Sequence, residues 1–374
     1  MKGVVYLISH EELALWGHVD CIIAVKDFSR RGTLDWESGI TLAHAAKAKG
    51  LNVFFEWDAL MEEPRFRDLT RKLKNFPAVF DAIRVRDAGA AWWARENLTC
   101  DIHLLLEAGH HNQMAIESWK QRLGARLTRT ALSPELPLSV IRQWRQLLGV
   151  PLEVMALGPL LLFHSPRPLL SSLASAPEGT EWKATGASEE SPHKGFPLQE
   201  NAHGTLMFHP KDLGLLERWD DMQAAGIDYA RIDHRLQSSV APLVANFTVT
   251  PDAENREALK QAWNTEWMRG YWDVNKSDVL FNKLKNQHLG HDERLCGEVL
   301  EGKRESWLAI RVRGPGLLLG KDVRVINPKG EERNLKISWL KDDAFNAVES
   351  LSEGQVGFIP WSSGAPSRSK LHLN

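Results

Sequence analysis

The feature that most constrains this chain is a rhythm. From the first residues to about residue 240, short apolar stretches of strand length alternate with longer stretches of helical periodicity. Residues 4–8, 21–25, 52–57, 80–86, 102–106, 126–132, 152–157 and 228–233 read as strands. Residues 11–16, 40–49, 63–73, 89–96, 112–123, 137–148 and 213–225 read as the intervening helices, and Gly50 supplies a C-terminal stop. Apolar strands that alternate with helices imply a parallel sheet, because parallel neighbours need a crossover connection. About eight such units predict an α/β fold with a closed (β/α)8 TIM-like barrel. A doubly wound open sheet is the alternative, and the G-x-G-x-x-G phosphate fingerprint is absent.

Two regions depart from this rhythm. Ser, Ala, Glu, Gly and Pro dominate 171–197, which predicts a mobile insertion at about 171–204, with 172–196 as its loosest part. Residues 241–290 read as a helical linker carrying Trp263, Trp267 and Trp272. In 291–374, residues 307–312, 323–326 and 335–339 alternate like half-buried strands, with Gly314-Pro315-Gly316 and Asn327-Pro328-Lys329-Gly330 as turns. That pattern predicts a small C-terminal antiparallel β-barrel. The barrel proper is assigned to 1–240.

Composition excludes several classes. With 46 basic and 48 acidic side chains the net charge is −2, so the surface is not basic throughout, although a local basic patch is compatible. Cys21, Cys100 and Cys296 lie far apart without a C-x-x-C, which excludes a zinc ribbon or redox pair and fits a reducing, cytoplasmic setting. No apolar run approaches the roughly 18 residues of a membrane helix, so no membrane association is expected. The P-loop, H-E-x-x-H and G-x-S-x-G motifs are missing. His110-His111 offers imidazoles, but adjacent strand residues point to opposite faces and would not share one ion.

The predicted strand ends are densely charged, and in such barrels the strand C-termini build the site. Lys26 and Asp27 follow the second strand, and Glu56 and Asp58 end the third on one face. Arg84 and Arg86 share a face of the fourth, with Asp87 after them. Glu107 follows the fifth, and Arg231, Asp233 and Arg235 share a parity on the last. Arginines on two strands can hold a carboxylate or phosphate in a bidentate grip, and a carboxylate among them can act as acid or base.

Several ordered segments resemble the peptidase U32 family. They are 81–89, Ile102-His103 through Asn112, Leu132-Ser133-Pro134-Glu135-Leu136, 153–158, 165–171, Glu200-Asn201-Ala202-His203-Gly204, Lys211-Asp212-Leu213 and 226–235. Met268-Arg269-Gly270-Tyr271 and the terminal β-module resemble the family's C-terminal part more loosely. The resemblance implies site roles for Asn112, Glu135, His203 and Asp233. Glu107 stands where the family usually has glutamine. The resemblance also marks departures. Leu157 stands at a family histidine, and Leu161 and Pro168 stand at family cysteines that hold an iron–sulfur cluster. Leucine and proline supply no thiolate, so no cluster or other cofactor is expected. Pro134 replaces an arginine before Glu135, and Arg231-Ile232-Asp233-His234-Arg235 stands at a K-I-E-G-R pattern.

Residues and resemblance together predict a small anionic substrate in a charge-lined barrel mouth. Glu56, Glu107, Glu135, His203 and Asp233 are the candidate catalytic groups. Arg84, Arg86, Asn112, Arg231 and Arg235 are the candidate binding groups, and no metal ligand is assigned. The family implies RNA- or small-molecule modification of the hydroxylation type, here without a cluster. The alternatives are a peptidase, as the family name states, and a non-catalytic partner of a cluster-bearing relative. Expected partners are a carboxylate- or phosphate-bearing ligand, and RNA or a family paralogue.

Overall fold

The computed structural model describes residues 1–107, 112–171, 181–187, 194–273, 294–328 and 330–373. The chain divides into two compact units at Val279/Leu280, within the span 274–293 that lies outside the described residues.

The first unit begins β1 (Lys2–Tyr6), α1 (His10–Leu13), β2 (Asp20–Ala24), α2 (Trp36–Ala48), β3 (Asn52–Trp57) and α3 (Glu63–Lys72). It continues β4 (Ala82–Val85), α4 (Ala88–Asn97), β5 (Asp101–Leu105), α5 (Gln113–Leu123), β6 (Leu127–Ala131), α6 (Leu138–Leu148) and β7 (Leu152–Gly158). Four further strands follow: β8 (Leu161–Ser165), β9 (Trp182–Ala187), β10 (Lys194–Asn201) and β11 (Gly204–Phe208). The unit ends with β12 (Asp212–Gly214), α7 (Trp219–Ala224), β13 (Tyr229–Ile232), α8 (Ala241–Val249), α9 (Ala253–Ala262) and β14 (Trp267–Met268). Strands β1 to β7 pair in parallel in chain order, and β13 pairs with both β1 and β7, closing an eight-stranded parallel barrel.

Strand parity explains the layers. Val5, Ile23, Val53, Phe55, Ile83 and Leu104 face outward and share one apolar core with Leu42, Leu69, Ala90 and Ile116 of the helices. Each large aliphatic buried there contributes roughly 1.5–3 kcal/mol. The opposite parity fills the barrel. Val4, Tyr6, Ile22 and Ala24 form a small apolar cluster. Beside it, Glu56, Arg84, His103 and Arg129 stand level with one another across four adjacent strands. Helix starts are fixed by Asp35, Asp87, Asn112 and Asp252, each accepting from a backbone N–H three residues on at 2.8–2.9 Å. Such caps are worth about 1 kcal/mol each. Gly50, just past α2, takes φ +81, as its expected role as helix stop requires.

Two sequence expectations need correction. The segment 213–225 is not one helix: Leu213 and Gly214 pair with β7, and α7 begins only at Trp219. A Cβ on Gly214 would lie 2.6 Å from Trp267, so only glycine lets this edge close onto β14. Within the expected insertion, β9 and β10 join β8 and β11 in a four-stranded antiparallel sheet, order β8-β11-β10-β9, over the strand ends. Much of 172–196 lies outside the described residues. Helices α8 and α9 bury Val244, Phe247 and Leu259 in the barrel's own core.

The second correction concerns the second unit. It comprises β15 (Leu295–Lys303), β16 (Trp307–Val312), β17 (Leu317–Leu318), β18 (Asp322–Ile326), β19 (Glu332–Lys336), β20 (Lys341–Asp342), β21 (Ser350–Leu351), β22 (Val356–Pro360) and β23 (Lys370–Leu373). Seven of these make an open antiparallel sheet, order β19-β18-β23-β15-β16-β22-β20, with β17 and β21 paired separately. Among the described residues the expected β-barrel is therefore not closed. Its edges explain why: β19 exposes Glu332, Arg333, Asn334 and Lys336, and β20 is two residues long. Charged or very short edges do not extend a ladder. Leu308, Ile310, Val312, Val323, Val325 and Leu371 form its apolar core.

Candidate functional site

At the strand C-termini a cavity of about 290 Å³ opens. Tyr6 lines it from β1, Arg30 and Arg31 from the loop after β2, and Glu56 and Asp58 from the end of β3. Arg86 follows β4, Glu107 follows β5, and Arg231, Asp233 and Arg235 come from β13 and the residues after it. Leu161, Leu162, Phe163 and His164 of β8, with Phe208 of β11, cover it from the antiparallel sheet. The loop after β2 folds back tightly: Ser29 donates its N–H to the Val25 carbonyl at 2.8 Å, and Thr33 to Ala24 at 3.1 Å. A Cβ on Gly32 would lie 2.4 Å from the Val25 carbonyl carbon, so glycine is required to bring Arg30 and Arg31 over the mouth. Gly158 (φ +144) likewise admits Asp233, whose Cβ would sit 2.9 Å from an added side chain.

Below the cavity lies a buried floor. Arg84 donates to both Glu153 oxygens at 2.8 and 2.6 Å, and both side chains are fully buried. Arg129 donates to Asp20 at 2.6 Å, and its guanidinium lies 3.4 Å from the centre of the Tyr229 ring. Burial opposes the charge on Glu153, but Arg84 and Arg129 outweigh it and hold the carboxyl below its ordinary range. Arg84 is likewise raised by Glu153 despite its burial. His103 sits among these cations, and burial, Arg129 and Arg84 together push it well below its ordinary value, so it is neutral.

The mouth is less evenly compensated. Glu56 accepts from Tyr6 Oη at 2.7 Å and Ser29 Oγ at 2.8 Å. Asp58 accepts from Arg30 Nε and Nη2 at 3.0 and 2.8 Å. Asp233 is gripped by Arg31 Nη1 at 2.7 Å and by Arg235 Nε and Nη2 at 2.9 and 2.8 Å. Glu107 spans Arg86 and Arg231. Floor and mouth together hold seven arginines (30, 31, 84, 86, 129, 231, 235) against six carboxylates (Asp20, Glu56, Asp58, Glu107, Glu153, Asp233). Burial, reinforced by Arg30, pulls Arg86 down to about 10. Burial also lowers Arg31, which Asp233 only partly offsets. Arg86 Nε and Arg31 Nη2 are buried without a hydrogen-bond partner.

The structure thus gathers Glu56, Arg86, Glu107, Arg231, Asp233 and Arg235 around one cavity. Arg84 lies beneath it. Asn112 is exposed and caps α5 through the Ala115 N–H at 2.9 Å. Glu135 is exposed, while Pro134 takes the lining position beside it. His203 is buried but does not line the cavity. Its Nε2 donates to the Lys26 carbonyl at 2.6 Å, and its Nδ1 accepts from Arg65 at 3.2 Å, tying the β10–β11 turn to the barrel. Lys26 and Asp27 lie outside the cavity lining too, and Asp27 pairs with Lys72 at 2.5 Å. His110 and His111 lie outside the described residues. Sequence reasoning passed over Tyr6, Arg30, Arg31, Arg129, Glu153 and His164. Tyr6, Arg129 and Glu153 carry the inward parity of their strands, and Arg30-Arg31 precedes a glycine in the loop after β2, so those five had a signal.

The donor set does not fit an iron–sulfur cluster. Leu157, Leu161 and Pro168 supply no thiolate, and Cys21 is buried on β2, where burial pushes its thiol up to about 12. Among the described residues no group of three or more His, Cys, Asp and Glu is placed to hold a metal ion. No helix among them is long and apolar enough to cross a membrane.

A closed parallel barrel with an ionised cavity at its strand C-termini defines an α/β-barrel protein with a strand-end site. Residues 17–283 match the model of Peptidase family U32, and the chain belongs to that family. It is similar to tRNA hydroxylation protein P of Haemophilus influenzae, 22% identical over 343 residues, covering 75% of this chain and 74% of the relative. Among solved structures, the U32 peptidase Mk0906 aligns at 13% identity over 42% of this chain and 68% of its own, with a TM-score of 0.36. A conserved Enterococcus faecalis protein of unknown function aligns at 9% identity over 99% of this chain and 95% of its own, with a TM-score of 0.35. The fold assignment rests on the strand closure itself.

Proposed function

We propose that the barrel mouth binds a small carboxylate- or phosphate-bearing molecule, and that the protein uses it in modifying RNA or a small molecule without an iron–sulfur cluster. The observation that carries this reading is the pair Arg31 and Arg86. Both line the cavity, their side chains are only 12% and 11% exposed, and both keep a buried donor nitrogen without a partner. A buried cation short of counter-charge is stabilised by an incoming anion, and the planar guanidinium suits carboxylate and phosphate alike. A carboxylate already fits there, since that of Glu107 spans Arg86 and Arg231. The RNA side of the reading is supported by the relative named for tRNA hydroxylation.

Peptide hydrolysis is the weaker reading. Glu56 and Asp58 are the carboxylates available to activate water, and both are occupied. Burial opposes the Asp58 charge, but Arg30 and Arg86 outweigh it and hold the carboxyl well below the usual range, a poor base. Calorimetric titration with succinate, citrate, inorganic phosphate and a phosphomonoester tests the anion site. The expected result is saturable binding of at least one, weakened about tenfold in Arg86→Ala, the worth of one charge-assisted contact. No binding by any of them, or equal binding by the variant, overturns the reading. Cleavage of a mixed peptide library that is lost in Glu56→Gln would establish the peptidase instead.

A further inference from the structure

His164 was singled out by no motif, yet it stands in the covering strand β8 and lines the same cavity. Its Nε2 lies 3.0 Å from the His203 carbonyl oxygen. A carbonyl can only accept, so Nε2 carries the hydrogen, and in the neutral ring Nδ1 is a bare lone pair. That Nδ1 is buried and has no hydrogen-bond partner. The surroundings keep the ring neutral: burial lowers its pKa, and among the charged groups that act on it Arg30 and Arg86 disfavour a further positive charge, against Asp58. From the neighbouring strand β11 it is faced across the ladder by the apolar Leu206. The arginines of the mouth can only donate. The oxygens of Glu56, Asp58 and Asp233 already accept from Tyr6, Ser29, Arg30, Arg31 and Arg235. His164 thus shares the cavity lining with Arg31 and Arg86 and brings to it an acceptor that no protein group fills.

We infer that His164 Nδ1 is the hydrogen-bond acceptor that makes this cavity selective for an anion bearing a hydroxyl group, a hydroxy-carboxylate. The inference rests on the anion-binding reading of the same cavity and adds the second functional group of the ligand. A site built to take up a ligand hydroxyl rejects the analogue that lacks it, because its buried polar atom is then left unpaired. His164 acts here as a specificity residue, while the arginines supply the affinity for charge.

Two matched pairs of probes test it: malate against succinate, and lactate against propionate. Within each pair the charge and carbon chain are the same and one hydroxyl differs. Titration into the parent protein should show the hydroxylated member binding about five- to tenfold more tightly in at least one pair. His164→Leu should remove that preference while leaving the affinity for the plain acid within about twofold. His164→Gln, which keeps an acceptor, should retain part of the preference and serves as the control if the leucine variant does not fold. In the parent, the ¹⁵N resonance of His164 Nδ1 should move on adding malate and stay on adding succinate. If the parent binds both members of each pair equally, or if His164→Leu keeps the preference, the inference fails while the anion site stands. If neither pair binds while inorganic phosphate or a phosphomonoester does, this inference also fails and the anion site stands; if none of these anions binds, or if Arg86→Ala binds them as the parent does, the anion-site reading falls and takes this one with it.

Discussion

Arg84, on β4, and Arg86, just past its end, are two residues apart and share a parity, yet they belong to different regions of the barrel. Arg84, in the floor, has both terminal nitrogens on Glu153 and a charge raised in stability by that partner. Arg86, in the mouth, shares Glu107 with Arg231, has Arg30 nearby, and is pulled down to about 10. The same residue type serves structure in one place and ligand binding in the other. What separates them is how fully a fixed carboxylate answers the charge: Glu153 grips Arg84 through both oxygens, whereas Glu107 gives Arg86 one oxygen and Arg231 the other. Desolvated charges that are paired are tolerated, and those short of a partner are where an external anion gains most.

The largest expected effect comes from breaking the floor. Glu153→Ala strands Arg84 and should cost about 3–5 kcal/mol, the usual penalty for unpairing a buried charge. Chemical denaturation measures it, and a loss under about 1 kcal/mol would mean the floor is not structural. At the mouth, Arg86→Ala should lose the tenfold in anion affinity while unfolding within about 1 kcal/mol of the parent, because no bidentate partner is stranded. Equal destabilisation by Arg84→Ala and Arg86→Ala would erase the distinction between the two regions.

Acid sharpens the same comparison. His103 is held neutral well below 6.5 by burial and by Arg129 and Arg84, so below that pH the unfolded chain takes up a proton the native floor refuses. Stability should therefore fall as pH drops through 6.5, by up to about 1.4 kcal/mol per pH unit for this one group. His164 and His203 are shifted in the same direction, so His103→Gln should flatten the slope without abolishing it. Below about 4.5, protonation of Glu153 in the unfolded chain adds to the loss, since its native carboxyl is held lower. The smallest effect belongs to Tyr6→Phe, which removes the buried hydrogen bond to Glu56 and the longer one from Arg231 at 3.3 Å, and should cost about 1 kcal/mol by the same denaturation assay.

The barrel was legible because its strands alternate so plainly: Phe55 and Trp57 pack outward while Phe54 and Glu56 point in, and the same parity placed Arg84 with Arg86 and Arg231 with Asp233. Parity does not report depth, however. It could not tell that Arg84 sits a layer below Arg86. Position within a motif was a weaker guide still. Asn112 spends its side chain on a helix start, Glu135 follows the Ser133–Leu136 turn into solvent, and His203 clamps a hairpin. His164 was illegible for another reason: it reaches the cavity from an antiparallel sheet whose docking over the strand ends no local pattern encodes. The closure of the C-terminal sheet was misread because alternation predicts strands but not whether the first and last will meet.

A barrel centre filled with arginine and carboxylate has a thermal consequence. Exposing apolar surface on unfolding raises the heat capacity, and exposing polar surface lowers it. Where other barrels stack branched aliphatics, this one places Asp20, Glu56, Arg84, His103, Arg129 and Glu153. Its heat-capacity increment should fall below the usual 12–15 cal/mol/K per residue or so. The free energy of unfolding would then bend less with temperature, giving a broader dome and a shallower approach to both heat and cold denaturation.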